Sequence, residues 1–290
     1  MDGIFLIDKE SGCTSRDVVD EIMRKTEMVK VGHTGTLDPL ATGVLVVCVG
    51  KCTKLVSHLT SSNKKYEAEI TLGIDTDSND ITGTIIKEEK VDLTDEQIVE
   101  AVNSIKGEYE QEVPIYSAVK VKGKKLYEYA RAKEYVELPI RTVNIIDIEI
   151  ISPLVRKDDK IIFSISCTVS KGTYIRALAR DIAKRLNTIG IMSKLRRLTQ
   201  GCFDISECKK IDDIRISDMK TVKETLREHH VVEVDDILKK AILNGKIIDN
   251  IYNRDEILFI DSEDNVLALY KGYEKDKTKI KPYVMIGGIK

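Results

Sequence analysis

The chain has 290 residues, 42% hydrophobic and 32% charged, with 46 lysines and arginines against 48 aspartates and glutamates. That composition suits a globular protein with a sizeable core, and it excludes a disordered chain or a uniformly basic nucleic-acid coat. No apolar run reaches the ~20 residues of a membrane span, and MDGIFLIDKE lacks the basic head and apolar length of a signal peptide. A cytoplasmic protein with no membrane partner is the expectation. Cys13, Cys48, Cys52, Cys167, Cys202 and Cys208 form no C-x-x-C pair and read as free thiols. The four histidines show no zinc spacing, so no metal is expected.

Residues 3–7 read as a first strand. Thr14 then caps a helix, with Asp17 closing a capping box and Val18, Val19, Ile22 and Met23 on the buried stripe. Residues 32–45, GHTGTLDPLATGVL, concentrate three glycines and a proline around one carboxylate. Pro39 fixes its own φ and pushes Asp38 toward an extended conformation. Asp38 is either a turn residue that bonds nearby amides or a displayed reactive carboxylate, and the loop alone does not choose. Residues 44–49, VLVVCV, form an apolar run short enough for a strand covered on both faces.

In YEAEITL, residues 66–72, Tyr66, Ala68, Ile70 and Leu72 share the inward face of a strand. Residues 73–83, GIDTDSNDITG, imitate a calcium loop but carry Asp80 at the turn glycine and Ile86 at the bidentate glutamate, so an acidic surface loop is expected. Thr94 and Gln97 open a second amphipathic helix that Gly107 stops. Residues 113–132 read as a short strand, a turn at Gly123 and a helix. Two β-rich runs follow at 143–152 and 161–168, separated by a polar turn.

SKGTYIRALARDIAKRL then delivers Lys171, Tyr174 and Arg176 where a strand turns into a helix, and residues 191–203 form another strand and turn. Residues 212–230 read as a charged, mostly helical connection. A helix over 236–243 and short strands at 257–260, 266–269 and 284–286 complete a small α+β appendage. Basic residues cluster in 119–133 and 171–200, interleaved with Tyr127, Tyr129 and Tyr174, a pattern suited to a phosphate-bearing partner.

GHTGTLDPLATGVL, YEAEITLG, VPIYSAVKVKGKKLYEYAR, SKGTYIRALARDI and LRRLTQG, in that order, closely resemble the bacterial tRNA pseudouridine-55 synthase family, TruB. The resemblance implies an α+β fold: a pseudouridine synthase-like catalytic domain over 1–228, with a central mixed, mostly antiparallel sheet flanked by helices. A small PUA-like RNA-binding domain over 229–290 follows. It implies isomerisation of a uridine at position 55 in the tRNA T arm without a cofactor, with room for a secondary tRNA-folding role. The implied catalytic residues are Asp38 as nucleophile, Tyr66 stacking on the flipped uracil or acting as base, and Arg176 pairing with Asp38.

His33, Tyr174, Leu195 and Lys9 match substrate-binding positions. Attack at C1′, addition to C6 and a glycal route all suit this residue set. The implied partner is the T-arm stem-loop of tRNA, bound by a monomer with no obligatory protein partner. Glu10 stands where the family commonly has proline, and Arg131-Ala132-Lys133 lacks a usual glycine. A non-catalytic RNA-binding protein is the main rival. A glycoside hydrolase is the other, disfavoured because the motifs offer no second carboxylate; Asp181 reads as a salt-bridge partner within a basic helix.

Overall fold

The computed structural model describes residues 1–289, and its contacts gather into two compact units. One comprises Met1–Asp38, Val44–Ser61 and the chain from Cys202 onward; the other comprises Pro39–Gly43 and Ser62–Gly201.

The chain opens with β1 (Gly3–Lys9), α1 (Ser15–Thr26), β2 (Val31–His33), β3 (Thr42–Val49), a 3₁₀ turn at Gly50–Leu55 and α2 (Val56–Thr60). The capping box of α1 forms as expected. The Thr14 hydroxyl accepts from the Asp17 amide at 3.1 Å, and the Thr14 amide donates to the Asp17 carboxylate at 2.7 Å. Val18, Val19 and Ile22 are buried, while Met23 is half-buried. Residues 44–49 of β3 are fully enclosed, as an unbroken apolar run requires. β2 pairs antiparallel with β3, placing His33 opposite Val47. No sequence motif marks the helical stretch over 50–60; it forms because Cys52, Leu55 and Leu59 are buried in the core of this unit.

The second unit continues with β4 (Lys64–Leu72), β5 (Ile74–Thr76), β6 (Ile85–Glu88), α3 (Asp95–Ser104), β7 (Gly107–Glu112), β8 (Lys120–Val121), β9 (Lys124–Lys125) and α4 (Leu126–Ala132). It closes with β10 (Ile140–Ile150), β11 (Val155–Lys157), β12 (Lys160–Val169), α5 (Ile175–Arg185) and β13 (Gly190–Gln200). Its sheet runs β13-β4-β12-β10-β7, antiparallel throughout, and the first two residues of β3 join β13 in parallel. The mixed, mostly antiparallel expectation holds. β4 buries Tyr66, Ala68, Ile70 and Leu72 as anticipated and exposes Lys65 and Glu67, while Thr71, on the opposite face to Ile70 and Leu72, is buried as well.

One expectation is met only in part and one fails in this unit. The short strand expected within 113–132 forms only as β8, which turns at Gly123 into β9 and α4. Residues 113–119 are irregular because Pro114 cannot donate to a ladder. The loop over 73–83 is not simply an acidic surface loop: Asp80 is buried and accepts from the Ser78 hydroxyl and from both the amide and hydroxyl of Thr82.

The chain from Cys202 onward holds β14 (Phe203–Asp204), α6 (Val222–Thr225), β15 (His230–Glu233), α7 (Asp236–Leu243), β16 (Ile248–Asp249), β17 (Glu256–Ile260), β18 (Val266–Tyr273) and β19 (Asp276–Ile289). Residues 212–230 are far less helical than expected: only α6 and a 3₁₀ turn at Ile216–Asp218 form. Their acidic residues cap short turns instead, Asp218 accepting from the Arg215 amide and Glu224 from the Thr221 amide. A five-stranded sheet, β15-β17-β18-β19-β16, gathers its strands from the stretch set apart by sequence. Its two faces bury different residues. Leu258, Ile260, Val266 and Leu269 share a core with Ile4, Leu6, Val44, Val46 and Leu55. Ile257, Phe259, Leu267 and Tyr270 pack with Ile242 of α7. All six cysteines are free, and among the described residues no helix is long and apolar enough to cross a membrane.

Gly43 sits at φ +103° directly opposite Arg197, where a Cβ would collide with the Arg197 carbonyl oxygen and amide nitrogen. Gly43→Ala is therefore expected to destabilise the fold by more than about 1 kcal/mol, read as a lower urea midpoint with unchanged slope.

Candidate active site

In the first unit the aspartate loop is tied down just before Asp38. Ser15, buried at the start of α1, donates its hydroxyl to the Leu37 carbonyl at 3.1 Å and accepts from the Leu37 amide at 2.8 Å. One side chain thus satisfies both backbone groups of the residue preceding the carboxylate. Asp38 itself is half-buried, so its carboxylate combines a fixed base with partial access. His33 accepts at Nδ1 from the Gly35 amide at 3.3 Å, which puts the proton of a neutral ring on Nε2. Lys9 is buried, and its ammonium donates to the carbonyls of Glu10 at 2.9 Å and Cys13 at 2.7 Å. It stabilises the turn after β1.

In the second unit the segment Pro39–Gly43 runs into the sheet edge. Thr42 stands opposite Arg196 and Gly43 opposite Arg197, and the Thr42 hydroxyl donates to the Leu195 carbonyl at 3.4 Å. Arg197 in turn stands opposite Tyr66 on β4, so Gly43, Arg197 and Tyr66 are successive neighbours across three strands. Tyr66 is 7% exposed, and Leu195, two residues ahead of Arg197 and opposite Ala68, is 8% exposed. The sheet therefore brings Tyr66 and Leu195 together with the segment that leaves the aspartate loop.

Tyr174 and Arg176 sit at the start of α5. Gln111 clamps Tyr174, accepting from its amide at 2.8 Å and donating to its carbonyl at 3.2 Å. The buried Arg176 donates to the Ser78 carbonyl and to the Tyr116 carbonyl, each at 3.0 Å, and its Nε lies 3.8 Å from the Asp80 carboxylate. Those contacts hold the guanidinium plane and part of its charge, as burial of an arginine demands. Asp181 pairs with Arg180 at 3.0 Å, as its sequence context suggested.

The first basic stretch also has structure. Lys124 lies over the Tyr129 ring at 4.6 Å, and Lys125 and Arg131 lie over the Tyr127 ring at 5.3 Å each. Sequence reasoning overlooked Ser15, Gln111 and Lys64 and took Asp80 for a surface acid. Ser15 acts 22 and Gln111 63 positions away, and Lys64 carries no motif of its own, so only spatial proximity reveals them.

The family description "TruB family pseudouridylate synthase (N terminal domain)" matches residues 23–175. The tRNA pseudouridine synthase B of Pediococcus pentosaceus is 39% identical over 300 aligned positions, covering 99% of each chain. That of Bacillus subtilis is 38% identical, covering 97% of this chain and 96% of its own. The chain belongs to the TruB family.

Among solved structures, a Cbf5-Nop10-Gar1 complex matches with a TM-score of 0.71 at 24% identity, covering 99% of this chain and 85% of that one. An H/ACA RNP bound to a substrate RNA matches with a TM-score of 0.69 at 22% identity, covering 98% and 84%. These confirm the pseudouridine synthase fold.

This TruB chain also buries Lys64. Lys64, at the start of β4, donates to the Ser62 carbonyl at 2.6 Å; burial first, then the charges of Arg197 and Lys171, pushes its pKa down to about 8. Below pH 8 the folded and unfolded chains both carry this charge, and the fold bears the full cost. Between about 8 and the ordinary 10.5 the folded chain has released a proton that the unfolded chain keeps, so this group's contribution to stability rises with pH. Unfolding free energies measured across that window are expected to show the rise in the wild type and its loss in Lys64→Met.

Ser15→Ala leaves the buried Leu37 amide without its acceptor. A stability loss of about 1–3 kcal/mol is expected, together with a lower turnover at unchanged tRNA affinity in a pseudouridine-formation assay.

Proposed function

We propose that this chain isomerises uridine to pseudouridine at position 55 in the T arm of tRNA, with Asp38 as the nucleophile. The observation that carries the reading is the mounting of Asp38: Ser15 pins the residue before it, and the segment after it enters the sheet through Gly43. A carboxylate so held is a competent covalent nucleophile toward an electrophilic carbon, because little freedom remains to be lost. Full-length similarity to proteins named tRNA pseudouridine synthase B supplies the substrate class.

In the proposed reaction the uridine leaves its stack and enters the pocket, where Tyr66 stacks on the uracil. The N1–C1′ bond breaks, the base turns, and a C5–C1′ bond forms. The proton on C5 leaves to a base, for which the Tyr66 hydroxyl serves, and N1 regains a proton. Nothing is oxidised or reduced, so no cofactor is consumed. Arg176 pairs with Asp38 and sets its rotamer, while Ser78, Tyr116 and Asp80 hold Arg176. His33 opens the T loop, and Tyr174 and Leu195 wall the base pocket. Lys9, with its ammonium on two carbonyls, shapes the adjoining turn.

The partner is the tRNA T-arm stem-loop, read by its folded shape with backbone contacts from the two basic stretches. The protein acts as a cytoplasmic monomer without an obligatory protein partner. Residues 1–228 carry catalysis, and residues 229–290 serve as a small RNA-binding module.

Incubation with an unmodified tRNA transcript, followed by mapping of pseudouridine at single-nucleotide resolution, tests the assignment. Product at the T-arm uridine is expected from the wild type, and none from Asp38→Asn, which still binds tRNA. Product only at other positions would sink the substrate; undiminished product from Asp38→Asn would sink the nucleophile.

A further inference from the structure

Three side chains away from the proposed catalytic residues converge within the first unit. His58 comes from α2, His229 from just ahead of β15, and Glu256 from the start of β17. His58 Nε2 lies 3.2 Å from His229 Nε2, and His229 Nε2 lies 3.0 Å from Glu256 Oε2. All three donor atoms fall within 4.8 Å of one another.

The hydrogen bonding of His229 sharpens what this cluster needs. Its Nδ1 lies 3.2 Å from the Leu226 carbonyl oxygen. A carbonyl only accepts, so Nδ1 carries the proton, and a neutral His229 turns its Nε2 lone pair toward the Glu256 carboxylate. A lone pair against a carboxylate at 3.0 Å repels unless a positive charge lies between them. A proton on His229 Nε2 satisfies Glu256 but then divides itself with His58, whose Nε2 faces the same atom. A metal ion satisfies all three at once.

We propose that His58, His229 and Glu256 bind a divalent first-row transition ion of the zinc type, with water completing the coordination. The donor set, two imidazoles and a carboxylate, is one that zinc takes in open sites. The spacing fits: ligands about 2.0–2.1 Å from a tetrahedral centre stand roughly 3.3 Å from each other. The Nδ1–H to backbone carbonyl bond of His229 is the supporting contact that orients a ligating histidine and leaves Nε2 for the metal. The Tyr283 ring packs edge-on against His58 with centroids 5.5 Å apart, which restrains that ring as well. All three residues are only partly buried, so the ion has a route in.

The ligands lie 171 and 27 positions apart along the chain. An ion here would tie α2 to β17 and to the turn before β15, acting as a cross-link for the unit and not as a participant in base chemistry. Bound to the folded chain alone, it stabilises the fold by an amount that grows with the logarithm of free ion above its Kd.

The test uses the full chain, stripped with a chelator and titrated with Zn²⁺ and, separately, Co²⁺. Stoichiometric uptake is expected, with the visible absorption of tetrahedral cobalt and a raised thermal midpoint. Glu256→Gln and His58→Ala should each weaken uptake by about tenfold or more. Glu256→Gln, whose carboxylate is partly exposed, keeps the fold and is expected to form pseudouridine at the wild-type rate when metal is absent. The proposal is overturned if the stripped wild type takes up no metal, as it would if a proton alone bridged the cluster. It is equally overturned if a variant carrying both His58→Ala and Glu256→Gln binds as tightly as the wild type, since the metal would then lie elsewhere, on the free cysteines.

Discussion

The constraint on which the candidate site depends is the close approach of β3 to β13 at Gly43. Thr42 and Gly43 pair in parallel with Arg196 and Arg197, and at Gly43 the Arg197 backbone leaves no room for a Cβ. On the other side of the loop, Ser15 holds Leu37 through two hydrogen bonds. Between those anchors stand Asp38 and Pro39, and the proline removes most of the remaining freedom of its neighbour. A reactive carboxylate needs such restraint, because positioning and not intrinsic acidity limits what a carboxylate can do as a nucleophile.

Two of the buried cations meet opposite surroundings. Arg176 is surrounded by carbonyl oxygens and the Asp80 carboxylate, so its charge is compensated within the fold. Its value lies in fixed orientation. Lys64 is different: burial and two neighbouring cations hold its pKa down, so the folded chain carries its charge at a cost.

Several local signals in the sequence were legible because their cause is local. The capping boxes at Thr14 and Thr94, the inward face of β4 and the enclosed run of β3 all appear as read, because each depends on residues within a few positions. The resemblance named Asp38, Tyr66 and Arg176, and the structure adds what mounts them. Those supports were illegible for one physical reason. Ser15 acts on a residue 22 positions away and Arg176 on the Ser78 carbonyl 98 positions away, and no periodicity encodes such pairs. Asp80 looked like an exposed acid because the cation that faces it is remote in sequence. The histidine cluster is hidden in the same way, its members separated by far more than any ligand spacing that can be read along a chain.

The C-terminal sheet carries the last consequence. Read along the chain, residues after 229 form an appendage, but one face of their sheet shares a core with β1, β3 and the helical stretch over 50–60. Leu258, Val266 and Leu269 cover Val44 and Val46, residues of the strand that continues directly from Gly43. Removing the sheet would expose that strand's apolar face, at a cost of about 1.5–3 kcal/mol for each large side chain uncovered. The stretch proposed to bind RNA is thus also part of the foundation under the aspartate loop. The packing of this sheet therefore bears directly on β3, the strand that follows the aspartate loop.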